Sequence, residues 1–260
     1  MSQSAFSDKL ILKGGYLLYS ISGFTTRPTV DADYLLKNHS NEETAIEEMV
    51  RVILEEKSVN EVVTIEIRNI EKISEFKEYH GMRVNLVGMI GKTRTPFSID
   101  IGIGDVIIPS AVERTLPVLL EDFNHPTIMT YSLESTVSEK FDAIINLMEA
   151  TGRMKDFYDI YYLANSFEFE GAKLQYAVKA TLSTRETSYK KDSVTVIKRL
   201  IEDTAINNRW KNFCKKILKY ELDFERVVDL LVEFIDPPFQ ALIEGEEFSS
   251  IWNPVEKQYQ

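Results

Sequence analysis

The 260-residue chain has a single cysteine, Cys214, so no intramolecular disulfide can form, and such sparing use fits a reducing compartment. No histidine lies near it in sequence, and it reads as a small buried helix residue rather than a nucleophile. Only three histidines occur, His39, His80 and His125; they lack metal-ligand spacing and read as surface or turn residues. Long apolar runs are missing too. The longest, such as Val227 to Ile235, are broken by charge and too short to span a bilayer, so no membrane association is expected. The first residues, Met1-Ser2-Gln3-Ser4-Ala5, lack the basic start and apolar core of a secretory signal, which points to the cytoplasm.

What is present is an ordinary globular composition, 44% hydrophobic and 27% charged. The net charge of −11 argues against a nucleic-acid partner at first sight. Its distribution is uneven, however. Between Gly171 and Tyr220 there are twelve basic residues, among them Lys190, Lys191, Lys198, Arg199, Lys211, Lys215, Lys216 and Lys219, against four acidic ones. That segment is a candidate RNA-docking surface, with a solvated helix face as the plain alternative.

The first informative stretch runs from Leu10 to Asp33. Leu10-Ile11-Leu12 has strand character, Gly14-Gly15 follows Lys13, and Tyr16 to Ile21 is apolar enough for a buried helix. Glycines at a helix start let the backbone approach a phosphate and leave N–H groups free for an anion. Asp31 and Asp33, one residue apart, share a face of an extended strand. Adjacent carboxylates repel unless a cation lies between them, and Mg²⁺ takes oxygen ligands of this kind. Phosphate cradle plus dicarboxylate suggests transfer chemistry on a nucleotide.

The rest reads as an α+β chain: a mixed-sheet core over residues 1–131, then a helical domain over 132–260. In the first part a helix is expected from Glu42 to Glu56 and strands at Val62–Ile67, Met82–Met89 and Phe97–Ile103. Ile70–Ile73 reads as a loop or short helix, and Gly91–Pro96 as a turn. Asp100, flanked by Ile99 and Ile101, should face the same way as Asp31 and Asp33; Asp105, its competitor, reads as a turn residue. In the second part, Ser132 or Ser135 caps a helix from Thr136 to Glu149 with a stripe of Val137, Phe141, Ile144, Ile145 and Met148. Gly152 ends it, and Arg153 opens the next. Breaks are expected at Ser183–Asp192, Asn207-Asn208, Glu221–Asp223 and Pro237-Pro238, with Val255 to Gln260 fraying.

Four pieces taken together resemble a known family: Gly14-Gly15, the Arg27-x-Thr29-x-Asp31-x-Asp33 run, Ser138-Glu139-Lys140-Phe141-Asp142-Ala143, and Arg153-Met154-Lys155-Asp156-Phe157-Tyr158-Asp159. They are similar to the AbiEii/AbiGii abortive-infection toxins of the DNA-polymerase-β-type nucleotidyltransferase superfamily. The resemblance covers Leu10 to Tyr162. It implies an enzyme of phage defence that moves a nucleoside monophosphate from an NTP to an RNA acceptor, the 3′ end of a tRNA above all, with two Mg²⁺ ions on Asp31, Asp33 and Asp100. Gly14, Gly15, Arg27 and Thr29 would serve the nucleotide, and Lys140 the triphosphate. Asp156 would order Lys140 or the nucleotide, supported by Asp159, and a cognate antitoxin is implied as partner. Relatives carry a helical segment before the glycine pair, whereas here only Met1 to Lys9 precede the Leu10-Ile11-Leu12 strand, as in a minimal member. A small-molecule nucleotidyltransferase or an NTP-dependent phosphotransferase would use the same carboxylates. A non-catalytic RNA- or partner-binding protein would keep only the fold.

Overall fold

In a computed structural model, which describes residues 2–55, 62–74 and 80–260, the chain is α+β and divides into two units. The first runs to Asp105 and includes Ala111–Tyr131; the second comprises Val106–Ser110 and Ser132–Gln260.

Strand β1 (Leu10–Lys13) leads directly into helix α1 (Gly14–Ile21), followed by strand β2 (Ala32–Leu36) and helix α2 (Glu43–Glu55). The expected helix end at Glu56 lies outside the described residues, as does the side chain of His80. Three 11-residue strands come next, β3 (Thr64–Ser74), β4 (His80–Ile90) and β5 (Thr93–Ile103), then the short β6 (Val112–Thr115) and β7 (Thr127–Thr130). They form one mixed sheet in the order β3-β4-β5-β2-β1-β7-β6, with β2–β5 and β1–β7 parallel. Alternation along the strands separates two faces. Leu12, Tyr34, Ile101 and Met82 pair across four adjacent strands and are buried together on one face. Each such apolar side chain contributes about 1.5–3 kcal/mol through burial.

Two expectations for this unit change. Ile70–Ile73 belongs to β3, because a bulge between Ile67 and Asn69 adds a residue and restores Ile70 to the face of Ile67. Ile67 then lies opposite Leu86 and Ile70 opposite Val84, both buried. The turn after β4 is only Gly91-Lys92, with Gly91 at φ +55. Pro96 sits within β5, before the Ile99–Ile103 stretch that β2 pairs with, where a missing N–H costs least.

The second unit consists of α3 (Leu133–Leu147), α4 (Met154–Ser166), a short strand β8 (Phe169–Glu170), α5 (Gly171–Thr184), α6 (Thr204–Phe213) and α7 (Phe224–Glu244), ending with β9 (Ile251–Asn253) and β10 (Gln258–Tyr259). Ser132 caps α3, its hydroxyl accepting from the Ser135 N–H. That helix stops at Leu147 rather than at Gly152; Met148 takes φ +42, and Arg209 donates to the carbonyls of Glu149 and Thr151 just beyond. Asn207-Asn208 lies inside α6, where the Asn207 amide donates to the carbonyls of Ile201 and Asp203.

Pro237-Pro238 also sits inside a helix, α7, instead of breaking it. Pro238 cannot donate to the carbonyl of Phe234, four residues earlier, and the Tyr259 hydroxyl donates to that oxygen at 2.8 Å instead. The tail therefore does not fray. β10 pairs with β9, Tyr259 is ordered against Phe234, Phe248 and Trp252, and the Trp252 indole donates to the Ala164 carbonyl. Cys214 is buried in a π-helical turn, its thiol held above the usual range by burial.

Candidate active site

At the end of β1 the chain turns into α1 through Gly14, whose φ of +69 suits glycine alone. A Cβ there would clash with Asp33 Oδ2, so the Asp33 carboxylate fills the space a side chain would take. A Cβ at Gly15 would meet Thr29 Oγ1 at 2.8 Å and Arg27 Nη2 at 3.1 Å. The glycine pair, the buried Arg27, Thr29 and Asp33 therefore converge on the first turn of α1. That turn carries no side-chain cap and no acidic residue, which keeps its N-terminal end favourable to an anion. Thr29 Oγ1 donates to the carbonyl of Asp31 at 3.4 Å, shaping the approach to β2. Gly14→Ala is expected to lower NTP affinity by about tenfold, since the added methyl must displace Asp33 from the cradle; equilibrium dialysis with a labelled nucleotide checks this.

The face of the sheet opposite the apolar row carries a line of charge. Lys13 pairs with Asp33, Asp33 with Asp100, Asp100 with Arg83, and Arg83 with Glu71, across β1, β2, β5, β4 and β3. Residues directly opposite one another share a face, so five charged side chains line up on one side of the sheet. Asp31 lies just before β2, near enough to Arg83 for its charge to act on the guanidinium. Two cations thus flank a pair of carboxylates. Arg83 donates from Nε and Nη2 to both oxygens of Asp100, each at 2.7 Å. Its guanidinium is held even more firmly in the charged form, first by these bonds and the Asp100 charge, then by Asp31 and Glu71.

Lys13 reaches Asp105 at 2.7 Å with both side chains largely buried, and its ammonium lies 5.0 Å from the centre of the Tyr131 ring. Asp105 is thus no solvated turn residue but the ionic partner of the lysine that precedes the glycine pair. Neither Lys13 nor Arg83 stands out in the sequence as a site residue. The one available signal is the position of Lys13 against Gly14; Arg83 becomes visible only through strand register.

In the second unit Lys140, on α3, is buried, with Asp156 Oδ1 at 3.1 Å and Asp159 Oδ2 at 2.5 Å, both on α4. Arg153 donates from Nε to the other oxygen of Asp156 at 2.6 Å. The Lys-Asp and Arg-x-x-Asp spacings of the sequence thus meet in one ion network. Asp142, beside Lys140 in the Ser138–Ala143 run, belongs to a different one, with Thr187, Asn146 and Arg185.

Solved structures of other proteins share this fold. A putative nucleotidyltransferase from H. pylori superposes with a TM-score of 0.51 at 14% identity, over 94% of this chain and 92% of that one. JHP933 from Helicobacter pylori gives 0.50 at 13% identity, over 92% and 89%. MenT4, the nucleotidyltransferase toxin Rv2826c from Mycobacterium tuberculosis H37Rv, gives 0.54 at 11% identity, over 91% and 76%. No curated protein matches the sequence. The family model for the nucleotidyl transferase AbiEii toxin, of type IV toxin–antitoxin systems, matches residues 1–244, and the chain belongs to that family. It is a nucleotidyltransferase toxin, for which the family implies an NTP substrate and a cognate antitoxin. Among the described residues no helix is long and apolar enough to cross a membrane.

Proposed function

We propose that this toxin transfers a nucleoside monophosphate from an NTP to RNA, with the 3′ end of a tRNA as acceptor and Mg²⁺ as cofactor. The observation that carries the reading is the placement of Asp33, which touches the glycine cradle on one side and pairs with Asp100 on the other. Carboxylate oxygens in this number are a donor set suited to a hard divalent cation. Asp31 and Asp33 would hold the ions, with Asp100 as the third carboxylate; once bound, the metal would lower the pKa of the acceptor hydroxyl and steady charge on the attacking and leaving oxygens.

The chain's own groups do the rest. The N–H groups of the α1 first turn bind the phosphates, which aligns the leaving pyrophosphate without reorganising solvent. Arg27, fixed against Gly15, adds a cation on that side. Lys13, held by Asp105, keeps the last residue of β1 in place ahead of the cradle. Lys140 is assigned a phosphate-binding role, and Asp156 and Asp159 fix its ammonium.

Purified protein incubated with total RNA and α- or γ-labelled NTPs tests the reading. Label from the α position should enter RNA of tRNA size and be lost on treatment with a 3′ exonuclease. Label moving only from the γ position would sink it in favour of phosphoryl transfer.

The basic segment supplies a candidate RNA contact. Five of its cations have partners within the unit: Lys173 with Glu170, Arg185 with Glu139 and Asp142, Lys191 with Glu244, Lys198 with Asp229, and Arg209 with backbone carbonyls. Lys211, Lys215, Lys216 and Lys219 are exposed around the end of α6. Changing Lys215, Lys216 and Lys219 to glutamate should weaken RNA binding. The slope of log affinity against log salt should also flatten by about 2, at roughly 0.7 per phosphate lost. Filter binding at several salt concentrations measures both.

A further inference from the structure

Asp100 is already engaged. The Arg83 fork uses both of its oxygens, and among the described residues no three acidic, histidine or cysteine side chains gather closely enough to hold one metal ion. The charges facing this pair along the row are Lys13, Asp33 and Glu71, with Asp31 near enough to act on the guanidinium. Asp33 and Asp100 sit side by side at the centre of the row, and adjacent carboxylates repel unless a cation compensates them. Lys13 stands beside Asp33 and Arg83 is the cation bound to Asp100; the Arg83 side chain is 40% exposed, so it can leave toward solvent.

We propose that Arg83 is the resident counter-ion of the transfer centre: it holds Asp100 while no divalent ion is bound and yields that carboxylate when one arrives. The inference rests on the metal-dependent reading above. Arg83 is then a positioning residue, acting through Asp100, and it opposes metal loading because its charge has the same sign as the ion's. Removing the charge should therefore tighten metal binding, whereas a mere scaffold for Asp100 would weaken it when lost. The two roles differ in sign.

The experiment titrates Mn²⁺ into nucleotide-free protein and follows the free-ion signal by electron paramagnetic resonance. Arg83→Met should bind Mn²⁺ about tenfold or more tightly than the unaltered chain, the scale of one unit charge removed at short range through partly screened surroundings. Arg83→Lys, which keeps the charge, should stay within about threefold, again on electrostatic grounds. Equal or weaker binding by Arg83→Met, with Asp33→Asn weaker than the unaltered chain, would overturn the counter-ion role and leave the metal reading standing. Absence of saturable binding by the unaltered chain would overturn both.

A second measurement needs no charge-removing variant. The Arg83 Nε–H resonance, assigned through Arg83→Lys, should be protected from solvent exchange by its bond to Asp100 and lose that protection as Mg²⁺ saturates. A resonance equally protected at saturation would overturn the proposal.

Discussion

Asp33→Asn is expected to reduce nucleotide transfer by about a thousandfold or more, equivalent to about 4 kcal/mol of transition-state stabilisation. Asparagine keeps the shape that fills the space over Gly14 and stays in register between Lys13 and Asp100. What it loses is the charge that would draw in the cation and hold it against the phosphates. Single-turnover assays with α-labelled NTP should show the loss in the chemical step. Thermal unfolding should move by no more than a few degrees, because an isosteric change opens no cavity. Transfer within tenfold of the unaltered chain would remove Asp33 from the centre, and the proposed mechanism with it.

Lys140→Met is expected to cost about 3–5 kcal/mol of stability, the usual penalty for stranding buried charge. Asp156 and Asp159 are both fully buried against the lysine, and Arg153 also pairs with Asp156. Without the ammonium, two carboxylates face each other away from water. Urea unfolding at neutral pH measures the loss directly. Adding Asp159→Asn to the variant should recover a good part of the loss, because one stranded charge is then gone. The same variant should also weaken NTP binding if Lys140 serves phosphate, and the double variant would separate the two roles: stability recovers while affinity does not.

How far the sequence alone reaches differs from motif to motif. The glycine pair, the Asp-x-Asp strand and the Lys-Asp helices are local patterns whose spacing already carries their geometry, and the structure brings Gly14 against Asp33 and Lys140 against Asp156. The line from Lys13 to Glu71 is not local. It needs the register of four strand pairs, and the three-residue step from Ile67 to Ile70, which the bulge in β3 accommodates, reads in the sequence as the end of a strand. Arg83 therefore looks like any polar residue in an alternating strand. Pro237-Pro238 misleads for a related reason, since the general rule against proline in helices holds until something else binds the freed carbonyl, and that something is Tyr259, more than twenty residues on.

The parallel pairing of β2 with β5 has a temporal side. Asp33 can meet Asp100 only once α2 and the two long strands between them have been made, so the centre depends on contacts of high sequence separation. On a ribosome, where segments emerge in order, the first glycines and aspartates are exposed well before their partners exist. A nascent or prematurely terminated chain ending before β5 would carry the cradle, and Arg83 on β4, without Asp100. On the proposed mechanism such a fragment lacks the third carboxylate and should transfer no nucleotide.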